Sequence, residues 1–176
     1  MVSLSFVFWM YIVLFGVIGA MRGWAKELLV SFSVILALTF ITLIEQYVPF
    51  VRDALPIDSP ALFWVRASIL VVLVFFGYQS PNIARFAPKM TREKLQDTLL
   101  GIFIGALNGY LIAGAIWFYM HEALYPFGSV ASPVAGTAAG DAAIKLLQYM
   151  PPRVLGIPAI YFAVVLAFIF VFVVFI

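Results

Sequence analysis

Residues 95–118 read LQDTLLGIFIGALNGYLIAGAIWF. Beyond Asp97 this stretch carries no charged side chain, and a small residue returns at every fourth position: Gly101, Gly105, Gly109 and Ala113. A spacing of four places these residues on one face of an α-helix. The uncharged run continues to residue 120. It is therefore as long as the roughly 20 residues a helix needs to cross about 30 Å of hydrocarbon. The stretch predicts a membrane-spanning helix over residues 99–120, with Thr91 as N-cap of the segment leading into it and Asp97 at its interfacial end.

The rest of the chain shows the same pattern. An uncharged apolar run covers residues 4–21, and it leads directly into Arg22-Gly23-Trp24 rather than a small-residue cleavage site. It is read as a retained span and not a signal peptide. Arg22, Lys26 and Glu27 form a tight polar connection to a second run over 28–44, which makes an antiparallel hairpin. Pro49, Pro56 and Pro60 mark residues 45–60 as a loop. A third run occupies 61–78, and a polar stretch with Pro81 and Pro88 leads on to the span at 99–120. After a small, polar segment, Asp141 is placed to cap a short interfacial helix over 142–150, which Pro151-Pro152 ends. An unbroken apolar run over 157–176 is a fifth span by length. The expected fold is all-α: a polytopic transmembrane helical bundle, with four spans in 1–156 and an additional C-terminal helix at 157–176.

Composition leads to the same conclusion. The chain has 176 residues, 65% hydrophobic and 10% charged, against roughly 45–50% and 25% in soluble domains. A small soluble fold could not hide that much apolar surface, whereas lipid can cover it. A β-barrel would show alternating segments of about ten residues in place of continuous runs. There is no cysteine, which excludes disulfides, thiolate metal sites and cysteine nucleophiles. The net charge of +2 is spread among helix ends and points away from nucleic acid. No phosphate loop, nucleophile elbow or paired metal-binding histidines are present. The expectation is a protein that is not an enzyme, needs no cofactor or metal, and has no identifiable small-molecule substrate.

Basic residues set the expected orientation. Arg22, Lys26, Arg85, Lys89, Arg92 and Lys94 fall on one side, against Arg52, Lys145, Arg153 and, if counted, Arg66 on the other. This bias predicts an N-terminus outside and a C-terminus in the cytoplasm.

Few polar residues lie inside the predicted spans. Asn108, near the middle of its span, requires a partner across helices, since an unpaired buried amide is costly. Arg66 is the one full charge within a span and so a candidate for function. Anchoring is the favoured role: its long side chain can snorkel to the interface or pair with Glu45, Asp53 or Asp58. His121 and Glu122 end the fourth span as interfacial polar residues. The Gly101/Gly105/Gly109/Ala113 face can dock a partner or a second copy, or pack on a helix of the same chain. The latter is favoured, with Gly19 and Gly23, beside Gly16 and Ala20, as a facing surface.

The Arg22-Gly23-x-x-x-Glu27 step is similar to the RG-x-x-x-E signature of colicin V production proteins. The Asp97-x-x-x-Gly101-x-x-x-Gly105-x-x-x-Gly109 run resembles the stretch that opens that family's fourth span. The Ser/Pro-rich segment and short helix over 129–152 also resemble that family. The resemblance covers residues 4–152 and implies a small, non-enzymatic bacterial inner-membrane protein acting in toxin production, envelope or export processes. The run at 157–176 departs from the family pattern and adds a lateral surface. Two other roles fit the same residues: an accessory subunit of a larger bioenergetic or photosynthetic membrane complex, and a small channel or transporter. Partners in every case are the lipid bilayer and other membrane subunits or further copies of the chain.

Overall fold

The computed structural model describes residues 3–79, 94–128, 130 and 132–175, with side chains as far as residue 173. Among these residues the fold is entirely helical: α1 Leu4–Arg22, α2 Trp24–Tyr47, α3 Pro49–Ala54, α4 Pro60–Tyr78, α5 Lys94–Glu122, α6 Ala138–Leu147, α7 Pro151–Val154 and α8 Ala159–Phe175. Helices α1, α2, α4 and α5 are long and apolar enough to cross a membrane, with mean hydropathy from 1.9 to 2.3. The protein is a helical membrane bundle. Thr91, Pro81 and Pro88 lie outside the described residues.

Helix boundaries differ from the sequence expectation where caps and turns override the apolar pattern. The polar connection shrinks to one residue. Gly23 has φ 84° and ψ 157°, a backbone conformation open essentially to glycine. Lys26 and Glu27 therefore belong to the first turn of α2, which begins at Trp24 instead of Leu28 and runs on to Tyr47. Proline breaks the next segment less than expected. Pro49 and Pro60 each stand at the first position of a helix, where a missing N–H is harmless, and the Ser59 hydroxyl caps α4 by accepting from the Leu62 amide at 3.1 Å.

The short helix also shifts. It spans Ala138–Leu147, and its N-cap is Thr137, which accepts from the Gly140 amide at 3.1 Å. Asp141 instead accepts from the Gly136 amide at 2.9 Å. Pro151-Pro152 opens α7 and does not terminate α6, which has already ended. The last helix is present but has 17 residues, not the 20 of the apolar run.

Packing depends on which faces are small. Helix α1 packs chiefly on α5, more than on its sequence neighbour α2. The two run antiparallel: Gly23 faces Asp97, Gly19 faces Gly101 and Gly105, Gly109 faces Tyr11 and Phe15, and Phe8 meets Trp117. Helix α2 runs parallel to α5 and antiparallel to α4, and these three enclose the core of Val34, Leu38, Leu70, Leu111 and Ala115. Helix α8 lies along α2, with the Phe168 ring edge-on to Phe32 at 5.0 Å between centroids. A second cluster of Phe8, Trp117, Ala143, Leu147 and Met150 seats α6 across the ends of α1 and α5.

Candidate functional site

Two polar clusters are built into the bundle, one near each end. The first grows from the Gly23 turn. Its positive φ brings the start of α2 against α5, where the Asp97 carboxylate accepts from the Trp24 amide at 3.2 Å. Asp97 thus caps α2 from another helix, satisfying one of the four orphan amides at a helix start. A Cβ on residue 23 would lie 2.7 Å from Asp97 Oδ2. The glycine is required twice, for the turn and for the carboxylate.

Arg22, on the other side of the turn, reaches back into the bundle. Its Nη1 meets Glu27 Oε1 at 3.2 Å, its Nη2 donates to the Tyr78 carbonyl at 3.2 Å, and its guanidinium lies 4.3 Å from the centre of the Tyr78 ring. The pair therefore also satisfies a carbonyl at the C-terminal end of α4. Glu27 is fully buried. Its second oxygen accepts from Asn108 Nδ2 at 2.8 Å, the same Nδ2 reaches the Glu27 carbonyl at 2.9 Å, and Ser31 Oγ donates to Asn108 Oδ1 at 2.6 Å. Asn108, also fully buried, so finds the cross-helix partners its position demands. These bonds tie α1, α2, α4 and α5 together at one end.

The second cluster surrounds Arg66, which is 4% exposed. Its Nε and Nη2 engage both oxygens of Glu45, at 2.5 and 2.9 Å, and its Nη1 meets Glu122 Oε2 at 2.7 Å. The forked guanidinium matches the carboxylate geometry, the strongest form of this contact. The Tyr119 ring lies 4.8 Å from the guanidinium carbon. Arg66 is thus clamped between α2 and α5 rather than snorkelling to the interface. Of its three expected partners Glu45 is the one used, while Asp53 pairs with its neighbour Arg52 at 3.1 Å.

The small-residue face of α5 is occupied from within the chain. A Cβ on Gly19 would overlap the Gly101 carbonyl oxygen, and one on Gly105 would overlap that of Phe15. Gly16 is less constrained, with its nearest neighbour at 3.5 Å. Ala113 and Ala20 are half-buried at the margins. The seam available for docking a partner is filled by α1.

Several residues that matter here do not stand out in the linear sequence. Glu27 reads as a loop charge, yet it falls on the stripe of Val30, Ser31, Val34 and Leu38 that faces the core. That helical spacing is the signal that marks it. Glu122 falls likewise on the stripe of Asn108, Leu111, Ala115 and Tyr119. Arg66 is therefore not the one full charge inside the bundle. Gly77 and Gly114 are equally inconspicuous. A Cβ on the first would lie 2.8 Å from Ser33 Cβ, and one on the second 2.7 Å from Pro151 Cδ, so each admits a neighbouring element. No periodic motif announces either.

His121 is exposed at the end of α5, with the Tyr125 ring 5.7 Å away between centroids. Among the described residues no group of three or more histidine, aspartate or glutamate side chains is placed to hold a metal ion. No family model matches this chain, and no curated protein or solved structure is significantly similar to it.

Proposed function

We propose that this chain is a non-enzymatic bacterial inner-membrane protein, resembling colicin V production proteins, that acts in envelope or export processes by associating laterally with other membrane proteins. The observation that carries this reading is the disposition of its polar residues. Arg22, Glu27, Ser31 and Asn108 are bonded to one another at one end, and Arg66, Glu45 and Glu122 at the other. Between them lies the apolar layer of Val34, Leu38, Leu70, Leu111 and Ala115. Polar groups bonded to each other are poorly placed for substrate chemistry, and an apolar layer stands in the way of an ion path. The residues behind the family resemblance, Arg22, Gly23, Glu27, Asp97 and the α5 glycines, serve to hold the bundle together. The outer surface is left for partners.

A second reading, an accessory subunit of a larger membrane complex, is favoured by α8. This helix is apolar on every side, packs chiefly on α2 and exposes Phe162, Leu166 and Val173.

Extraction in a mild detergent, then native electrophoresis and mass spectrometry of co-migrating chains, tests both. Co-migration with envelope or export proteins supports the first reading, and migration within a large stable complex supports the second. A chain that migrates alone and conducts protons or common ions in proteoliposomes would sink both.

A further inference from the structure

An unfilled apolar space lies between α1 and α5, beyond the glycine seam. Where the seam ends at Gly109 the two helices carry large side chains, and a slot of about 310 Å³ opens between them. Its walls include Leu4, Phe8 and Phe15 of α1 and Ile112, Ala113 and Trp117 of α5. At its inner end Phe15 packs against Tyr78 of α4, with 6.3 Å between ring centroids. At its other end, beside α6, the Trp117 indole N–H donates to the Tyr125 hydroxyl at 3.4 Å. Such amphipathic aromatic side chains are typical of the membrane–water boundary.

We infer that this slot holds one acyl chain of a bilayer phospholipid. Polarity, width and length together select that occupant. Water is the first alternative. The volume is the share of about ten water molecules, each of which needs two to four polar partners, and the walls are almost wholly apolar. A helix from a partner protein is the second. A cylinder about 10 Å wide and as long as the slot takes roughly 1,300 Å³, several times the space present. An acyl chain also fits in length. From Leu4 to Phe15 the α1 wall is about 17 Å long at 1.5 Å per residue, close to the roughly 15 Å of hydrocarbon in one leaflet. The slot is thus narrow, apolar and about as long as one leaflet is deep.

Trp117, 3% exposed, reports directly on the occupant. With Trp9, Trp24 and Trp64 replaced by Phe, it becomes the sole tryptophan of the full chain. Reconstituted into phosphatidylcholine vesicles brominated along one acyl chain, the protein is expected to lose Trp117 emission at least twofold relative to unbrominated vesicles. Ala113→Phe, which fills the slot, is expected to restore most of that emission while helicity stays unchanged. Phe103→Leu, on an exposed face of α5, is expected to have no effect. Native mass spectrometry of the unsubstituted chain in mild detergent is expected to show about one retained phospholipid. Quenching of Trp117 by aqueous acrylamide would mean a wet slot. Protection from both quenchers would mean that protein fills it. Either result, or absence of retained phospholipid, would overturn the assignment, and the retention measurement decides the matter should Ala113→Phe not fold.

Discussion

Asn108 is the residue on which one end of the bundle turns. It donates to Glu27 and accepts from Ser31, so its amide joins α5 to α2 through both its oxygen and its nitrogen. Replacing it with leucine leaves a fully buried carboxylate oxygen short of a donor, while the Ser31 hydroxyl keeps the Glu27 carbonyl at 3.3 Å as an acceptor. The expected cost is about 1–3 kcal/mol, the penalty for unsatisfied buried polar groups, measured by reversible unfolding in mixed micelles. A loss well below this range would mean that Glu27 finds another donor. Arg66 is under stronger constraint. Arg66→Leu strands two carboxylates, and its cost should approach the lower end of about 3–5 kcal/mol, since Glu45 and Glu122 remain partly exposed and can rehydrate. Glu122→Gln should cost under about 1 kcal/mol, because the two-pronged bond to Glu45 still neutralises the arginine. If the two variants destabilise equally, Glu45 does not hold the arginine on its own.

At the scale of elements, α1 is held by shape. It has no hydrophobic drive to leave lipid, so close van der Waals contact with α5 must supply its attachment. The glycine positions make unequal demands. Gly19→Ala pushes a methyl group into the backbone of α5 and should cost about 1–3 kcal/mol or more, as overpacking does. Gly16→Ala meets its nearest atom at 3.5 Å and should be close to neutral. Cross-linking yield between cysteines placed on α1 and α5 reads the difference, and equal yields in the two variants would contradict the seam. The turn from α1 to α2 can be probed in the same way. Asp97→Ala removes the cap on Trp24 and should cost about 1 kcal/mol.

For the whole molecule, the antiparallel and parallel pairings put the Gly23 turn, Lys26 and Lys94 at one end and Glu45, Glu122 and α6 at the other. Basic residues favour the first end for the cytoplasm. Lys94→Cys is therefore expected to resist a membrane-impermeant thiol reagent in intact cells and to react once cells are opened. Labelling in intact cells would reverse the orientation. Because the two polar clusters are separated by an apolar layer, proteoliposomes are expected to show no proton flux above empty vesicles.

Membrane residence, helical class and the positions of the long helices are legible in the sequence, because each rests on local quantities. A run of apolar residues is long enough to cross a bilayer whatever its neighbours are, and a glycine at every fourth position shares a face in any helix. The existence of the α5 seam is of this kind. Its occupant is not, since lipid supplies no preference between α1, a second copy and a partner. Only the antiparallel fit of Gly19 against Gly101 and Gly105 decides it. The charges divide in the same way. Asn108 announces its need for a partner, because an amide in hydrocarbon must bond. The identity of that partner, 81 positions away in the chain, and the union of Glu45 and Glu122 on Arg66 arise where separate helices converge. Such contacts leave no period or motif in the chain that makes them.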